Sequence, residues 1–301
     1  MSIKEYEKEI FKQPEFLKKI QLQTQISKNK QKHILFSGSG DSLVSAMLAE
    51  IYSNFQVRSI DPLDLLKNRQ FLKNNTVYFV SISGNTISNI KVAKIAKKSI
   101  AITSNIKSKL ANSCNESIFL EYLKSKIVTA GSISFLSSAL TCISLVKRIS
   151  IPADSRIFKK ALSDAKKSKI GNKIFILGNL HTFPLAIYCA AKIYEVLGYN
   201  AHYQRIEQFS HMELFSAKKG DTVIIFEGKN NHNKHFVKNL KDIGLNVIQP
   251  YIESGNKISQ LLYYVYFSQL LSLFEAKKRG KKDCYFILEK KLRSASNQMI
   301  Y

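Results

Sequence analysis

Apolar positions along this chain fall into short, nearly continuous runs separated by stretches of helical periodicity. The run 33–37 (HILFS) precedes a helical pattern over 41–52, and 76–81 (TVYFVS) precedes another over 88–97. A third run, 99–103 (SIAIT), leads to a short apolar run at 118–120. Runs bounded by polar turns and alternating with helices predict βαβ units, hence a parallel sheet covered by helices on both faces. The pattern then repeats: 173–177 (KIFIL) with a helix over 184–197, 222–226 (TVIIF) with a helix over 233–243, and a strand at 246–250. Each half closes on a stretch without charge, 127–146 and 258–274. Both stretches carry several hydroxyl or amide side chains, which suits helices buried inside protein rather than facing lipid. The prediction is an α/β protein of two like domains, 31–150 and 151–301, after a helical lead-in at 1–30.

A length of 301 residues suits two domains of about 150 each, and 45% apolar with 23% charged residues is a globular balance. The 46 Lys+Arg against 22 Asp+Glu give a net charge of +24. The lysines are dispersed in pairs, and no helix-turn-helix, zinc-finger or RNP-type pattern accompanies them, so the charge reads as surface charge, not as a nucleic-acid interface. The opening MSIKEYEKEIFKQPEF has no apolar signal-peptide core, and the expected location is the cytoplasm. The four cysteines (Cys114, Cys142, Cys189, Cys284) are far apart, which argues against a disulfide framework and a zinc knuckle.

Two loops offer chemistry. The first strand runs into Ser37-Gly38-Ser39-Gly40-Asp41-Ser42 and then a helix. Glycines let backbone approach a ligand, and a helix N-terminus presents unpaired amides to an anion. Spacing rules out both the dinucleotide fingerprint and the P-loop. The second strand ends in Ser81-Ile82-Ser83-Gly84-Asn85-Thr86. Ligands of open parallel sheets bind outside the carboxyl ends of the strands, so Gly38, Ser39, Gly40, Ser42, Ser81, Ser83, Gly84 and Thr86 are candidate phosphate-binding residues.

GSGDS and SISGNT resemble the loops of the sugar isomerase (SIS) domain, and EIFKQPEFLKKI resembles the opening of the isomerase part of glutamine–fructose-6-phosphate aminotransferases. The whole chain is similar to two SIS domains in tandem, as in bifunctional phosphoglucose/phosphomannose isomerases. The resemblance implies phosphosugar binding, an enediol mechanism without metal or organic cofactor, and a homodimer whose active site is shared between subunits. The two uncharged helices are candidates for its interface. In tandem-SIS isomerases a helix glutamate that shuttles the proton between C1 and C2 precedes, by 16 residues, a histidine that opens the sugar ring. Glu195 in AIYCAAKIYEVLG and His211 in YQRIEQFSHMELF have that spacing. Burial would raise a carboxylate toward neutrality for the shuttle, and a histidine already titrates near working pH.

The resemblance also implies an enediolate-stabilising cation near the C-terminus, for which Lys290 and Lys291, with Arg293, are the candidates. Glu207 and Glu213 compete with Glu195 for the carboxylate role, Lys192 one turn away is its ion-pair partner, and His181 is read as a helix cap. His202, His232 and His235 show no metal-ligand pattern. Both isomerase families carry a basic residue where TAGSISF places Ile133. The expected activity is interconversion of glucose-6-phosphate, and of mannose-6-phosphate, with fructose-6-phosphate. The alternatives are a glucosamine-6-phosphate deaminase, a stand-alone isomerase partner of a glutaminase, and a phosphosugar-binding regulator without turnover.

Overall fold

The computed structural model describes residues 1–122, 125–152, 154–171 and 173–300. The first half of the chain forms α1 (Ser2–Lys19), α2 (Lys28–Gln31), β1 (Ile34–Gly38), α3 (Asp41–Tyr52), β2 (Arg58–Ile60), α4 (Pro62–Lys67), β3 (Thr76–Val80), α5 (Ile87–Ala93), β4 (Lys98–Thr103), β5 (Glu116–Phe119) and α6 (Ile133–Val146). The second forms α7 (Ser155–Lys167), β6 (Lys173–Leu177), α8 (Phe183–Leu197), β7 (Asn200–Gln204), α9 (Ile206–His211), β8 (Thr222–Ile225), α10 (Asn231–Asp242), β9 (Asn246–Ile248), α11 (Lys257–Lys278), α12 (Tyr285–Leu288) and α13 (Lys290–Ile300).

Two parallel sheets result, ordered β2-β1-β3-β4-β5 and β7-β6-β8-β9. The strands β1 and β8 are buried along their whole length, as a parallel sheet with helices on both faces requires. Side chains alternate between faces. Leu35, Val77 and Phe79 pack against Leu65 of α4 and Val92 of α5. Phe36 and Tyr78, on the opposite face, stack at 5.1 Å. The second sheet repeats the arrangement: Phe175, Leu177, Val223 and Ile225 pack against Ile206 and Phe209 of α9 and Leu240 of α10.

Sequence periodicity locates the central strands but not β2 and β7, the edge strands that follow α3 and α8. Both lie half in solvent: β2 is three residues long, and β7 reads Asn-Ala-His-Tyr-Gln. Neither carries the apolar run that marks a strand buried on both faces.

The uncharged stretches are helices α6 and α11, and both are buried within a single chain. Their hydroxyls bond back to the preceding turn, Ser144 to Thr141 O at 2.8 Å and Ser268 to Tyr264 O at 2.7 Å, which satisfies them in an apolar setting. Burial removes these helices as subunit-interface candidates. No helix among the described residues is long and apolar enough to cross a membrane.

The chain divides into two compact units. One comprises Lys19–Lys124, Gly131–Ile149 and Lys290–Tyr301 and holds the five-stranded sheet; the other comprises Met1–Lys18, Ser125–Ala130 and Ser150–Glu289 and holds the four-stranded sheet. Helix α1 belongs to the second unit. There, Gln13 Nε2 donates to Gln269 Oε1 at 2.6 Å, Tyr6 meets Ser272 at 3.3 Å, and the Ser2 N–H donates to Asp283 at 2.6 Å. The four cysteines are free thiols.

Candidate functional site

The unit with the five-stranded sheet carries both candidate phosphate loops at the carboxyl ends of adjacent strands. β1 ends at Gly38, where a Cβ would lie 2.9 Å from Val80 O and from Ser42 Cβ. Only glycine lets β1, β3 and the start of α3 converge this closely. Gly40, at φ +58, turns the chain into α3. The hydroxyl-bearing Ser39 and Ser42 flank that turn, Ser39 exposed and Ser42 half-buried. Helix α3 runs twelve residues, enough to focus a partial positive charge at its first turn.

The second loop folds on its own hydroxyls. Ser81 Oγ accepts the Gly84 N–H at 3.2 Å and meets Thr86 Oγ1 at 3.5 Å, and Ser83 Oγ accepts the Asn85 N–H at 3.3 Å. Gly84 has φ +66, and a Cβ there would fall 2.1 Å from Ser108 Oγ. Sequence reasoning missed the residues that brace this loop from the end of β4: Thr103 Oγ1 and Ser104 Oγ donate to Ile82 O at 3.2 and 2.9 Å. A cavity of about 250 Å³ is lined by Ser39 of the first loop and Thr86 of the second, with Ser88 and Lys91, the acidic Asp61, and apolar side chains that include Leu63 and Leu66 of α4 and Met299 and Ile300 of α13. The hydroxyls of Ser39, Thr86 and Ser88 and the Lys91 ammonium suit an anion, and the Asp61 carboxylate suits a hydroxyl-bearing body attached to it.

The unit with the four-stranded sheet carries the acid–base candidates. Glu195 and Lys192 share one turn of α8, and Lys192 Nζ lies 2.5 Å from Glu195 Oε2. Lys192 is 0% exposed and Glu195 36% exposed. The Lys192 ammonium also lies 5.0 Å from the centre of the Tyr188 ring, whose hydroxyl accepts from Gln269 Nε2 at 2.8 Å. A fully buried lysine is rare unless paired, and here an ion pair and an aromatic face surround it. Its spacing from Glu195 was visible in the sequence; its burial was not. His211, the last residue of α9, is 69% exposed, and its Nε2 lies 3.1 Å from Oε1 of Glu207, itself 72% exposed. Each candidate therefore has a partner on its own helix.

Lys290 and Lys291 open α13 and are exposed. Ile133, the first residue of α6, is buried in the core and offers no charge. His181 does not cap a helix. Asn179 makes the cap, and the His181 ring bonds Gln260 of α11 at 2.9 Å, with burial holding its pKa below the usual histidine value. Glu213 faces His202, Oε1 to Nδ1 at 3.8 Å. No group of His, Cys, Asp and Glu among the described residues could hold a metal ion.

The chain matches no protein-family model and no curated protein. Solved structures do match. It superposes on glucosamine-6-phosphate deaminase from Thermotoga maritima with a TM-score of 0.73, at 19% identity, over 92% of this chain and 95% of that one. The C-terminal domain of glucosamine-fructose-6-phosphate aminotransferase from Francisella tularensis matches with a TM-score of 0.71, at 17% identity, over 93% and 97%. Tagatose-6-phosphate ketose/aldose isomerase from Escherichia coli matches with a TM-score of 0.67, at 14% identity, over 92% and 94%. The chain has the fold of these proteins. At such identities the likeness is one of fold, and it extends across both sheets.

Proposed function

We propose that this chain is a tandem-SIS phosphosugar isomerase that moves a carbonyl between C1 and C2 by way of an enediol, with glucose-6-phosphate and fructose-6-phosphate as the first pair to test and mannose-6-phosphate as the second. The observation that carries the reading is the pair of hydroxyl-rich loops sharing a cavity at the carboxyl ends of β1 and β3. In this reading, Ser42, Ser81, Ser83 and Thr86 hold the phosphate together with loop amides. Glu195 takes the proton from one carbon and returns it to the other, and the buried Lys192 fixes its carboxylate in place. His211 passes the proton that opens the ring. Lys290 or Lys291 faces the charge of the enediolate. The exposure of His211 supports a homodimer in which the histidine of one subunit serves the glutamate of the other.

The test is incubation of the purified chain with fructose-6-phosphate in deuterated water, without ammonia or glutamine, followed by NMR. Glucose-6-phosphate or mannose-6-phosphate deuterated at C2, lost in Glu195→Gln, is the expected result. An inert mixture overturns the isomerase reading. Ammonia released from glucosamine-6-phosphate then points to a deaminase, and binding without turnover to a regulator.

A further inference from the structure

A row of buried polar side chains runs from α1 to the acid–base candidates of the four-stranded unit. Gln13 of α1 and Gln269 of α11 are wholly buried, where glutamine is uncommon. Gln13 Nε2 donates to Gln269 Oε1 at 2.6 Å, and Gln269 Nε2 donates to the Tyr188 hydroxyl at 2.8 Å. Tyr188 is also wholly buried. Its ring centre lies 5.0 Å from the Lys192 ammonium, which pairs with Glu195 Oε2 at 2.5 Å. Tyr188, Lys192 and Glu195 follow one another at successive turns along one face of α8. The two glutamines come from other helices, Gln269 lying 81 residues from Tyr188 and Gln13 lying 256 residues from Gln269.

Such a row is a poor device for stability. Apolar side chains of the same shape in place of both partners of a buried hydrogen bond leave stability nearly unchanged, and here Gln13 Oε1 is buried without a hydrogen-bond partner. What the row supplies is orientation. Both ends of the Gln269 amide are engaged, so it cannot turn over without breaking two bonds. Gln13 sets its polarity: an N–H facing Gln269 demands the carbonyl there and leaves the amide N–H for Tyr188. The turn that carries Gln269 is anchored as well, since Ser272 Oγ donates to Gln269 O at 2.9 Å and meets the Tyr6 hydroxyl at 3.3 Å. The bond to its hydroxyl fixes the tilt of the Tyr188 ring. Tilt matters because a cation is attracted to the face of a ring and not to its edge. Lys192 reaches its place on a flexible four-carbon stem, and the ring and the carboxylate together confine its ammonium.

We propose that Gln269 and Tyr188 are positioning residues for Lys192 and, through it, for the carboxylate of Glu195. Gln269 sets the tilt of the Tyr188 ring, the ring face holds the ammonium, and the ammonium sets the direction in which Glu195 presents its carboxylate. Helix α1 belongs to this arrangement through Gln13. The bearing on turnover rests on the reading of Glu195 as the proton shuttle, so the test has one readout that uses that reading and one that does not.

The independent readout is the NMR signal of the Lys192 ammonium protons in a chain carrying 15N-lysine, assigned by its loss in Lys192→Met. An ammonium over a ring face is displaced upfield by the ring current, and the wild type is expected to show that displacement. Tyr188→Phe keeps the ring and loses the hydroxyl; Gln269→Met removes the donor. Each is expected to move the signal toward the position of an ordinary lysine. The double variant should move it no further than either alone, because both changes cut the same connection. Tyr188→Phe removes a single oxygen, so the test stands even where Gln269→Met does not fold. A signal unmoved by Tyr188→Phe, or a double variant whose displacement is the sum of the two, overturns the proposal. The second readout is deuterium exchange into fructose-6-phosphate. Tyr188→Phe is expected to lower kcat about tenfold while KM stays within about twofold of wild type. An active wild type whose kcat does not fall in Tyr188→Phe overturns the proposal. A wild type inert toward fructose-6-phosphate, with the ammonium signal moving as expected, upholds the proposal and removes the isomerase reading.

Discussion

Lys192 Nζ and Glu195 Oε2 lie 2.5 Å apart on one turn of α8, with the lysine wholly buried and the glutamate 36% exposed. Removing one partner of a buried pair leaves a charge in a place that cannot solvate it, whereas removing the buried charge itself can be neutral. Glu195→Leu is therefore expected to cost about 2–3 kcal/mol of unfolding free energy, toward the low side because the glutamate is partly solvated. Lys192→Met keeps the volume and is expected to fall within about 1 kcal/mol of wild type. Urea denaturation of both variants checks the asymmetry. On the isomerase proposal, deuterium exchange into fructose-6-phosphate should be lost in both, because Lys192→Met removes the ammonium that positions the Glu195 carboxylate.

Gly84→Ala meets two obstacles, the positive φ and the Ser108 hydroxyl 2.1 Å from the new Cβ. The first costs about 1–2 kcal/mol for an L-residue, and the second adds to it. The double variant Gly84→Ala/Ser108→Gly removes the clash and keeps the φ penalty. It should recover part, not all, of the stability lost by Gly84→Ala, as read from thermal unfolding in a double-mutant cycle. Full recovery would mean that the backbone conformation carries no cost.

His211 and Glu207 are both mostly exposed, so their contact is worth at most about 1 kcal/mol. His211→Ala is expected to leave the melting temperature nearly unchanged while turnover falls. Mixing inactive His211→Ala with inactive Glu195→Gln under subunit exchange should restore turnover, since some mixed dimers contain one intact site. A mixture as inactive as its parts refutes the shared site.

Acid should unfold the chain partly through His181. Its folded-state pKa lies below the unfolded value of about 6.5, so the unfolded state binds the proton more readily. The stability it supports is complete above about pH 6.5 and declines as pH falls through the lowered folded-state value. His181→Gln is expected to flatten that part of the stability-against-pH curve, measured as urea midpoints between pH 7.5 and 5. An unchanged slope would assign the effect to other groups.

Legibility in the sequence followed burial. The runs 33–37, 76–81, 173–177 and 222–226 announced strands because both of their faces are covered, so nearly every residue had to be apolar. The edge strands β2 and β7 face water, and nothing in their composition separates them from loops. The same division holds at the candidate site. Gly38, Gly40 and Gly84 stood out because a turn or a close approach demanded them. Thr103 and Ser104 did not: their hydroxyls find Ile82 O only because β4 lies beside β3, a relation no local pattern encodes. Lys192 looked like one solvated lysine among many in a chain of net charge +24, and only packing distinguishes it.

Helix α1 precedes its anchors Gln269, Ser272 and Asp283 by 256 to 281 residues along the chain, so it is synthesised long before them. It has to wait, its apolar stripe of Ile3, Tyr6, Ile10 and Leu17 without a seat, until helix α11 and Asp283 have been made. Synthesis order and docking order are opposed in this unit. A domain excised at residues 151–289 would carry Gln269 and Ser272 without Gln13 and Tyr6, so a soluble second half is expected to need helix α1 supplied as a separate peptide or fused by circular permutation.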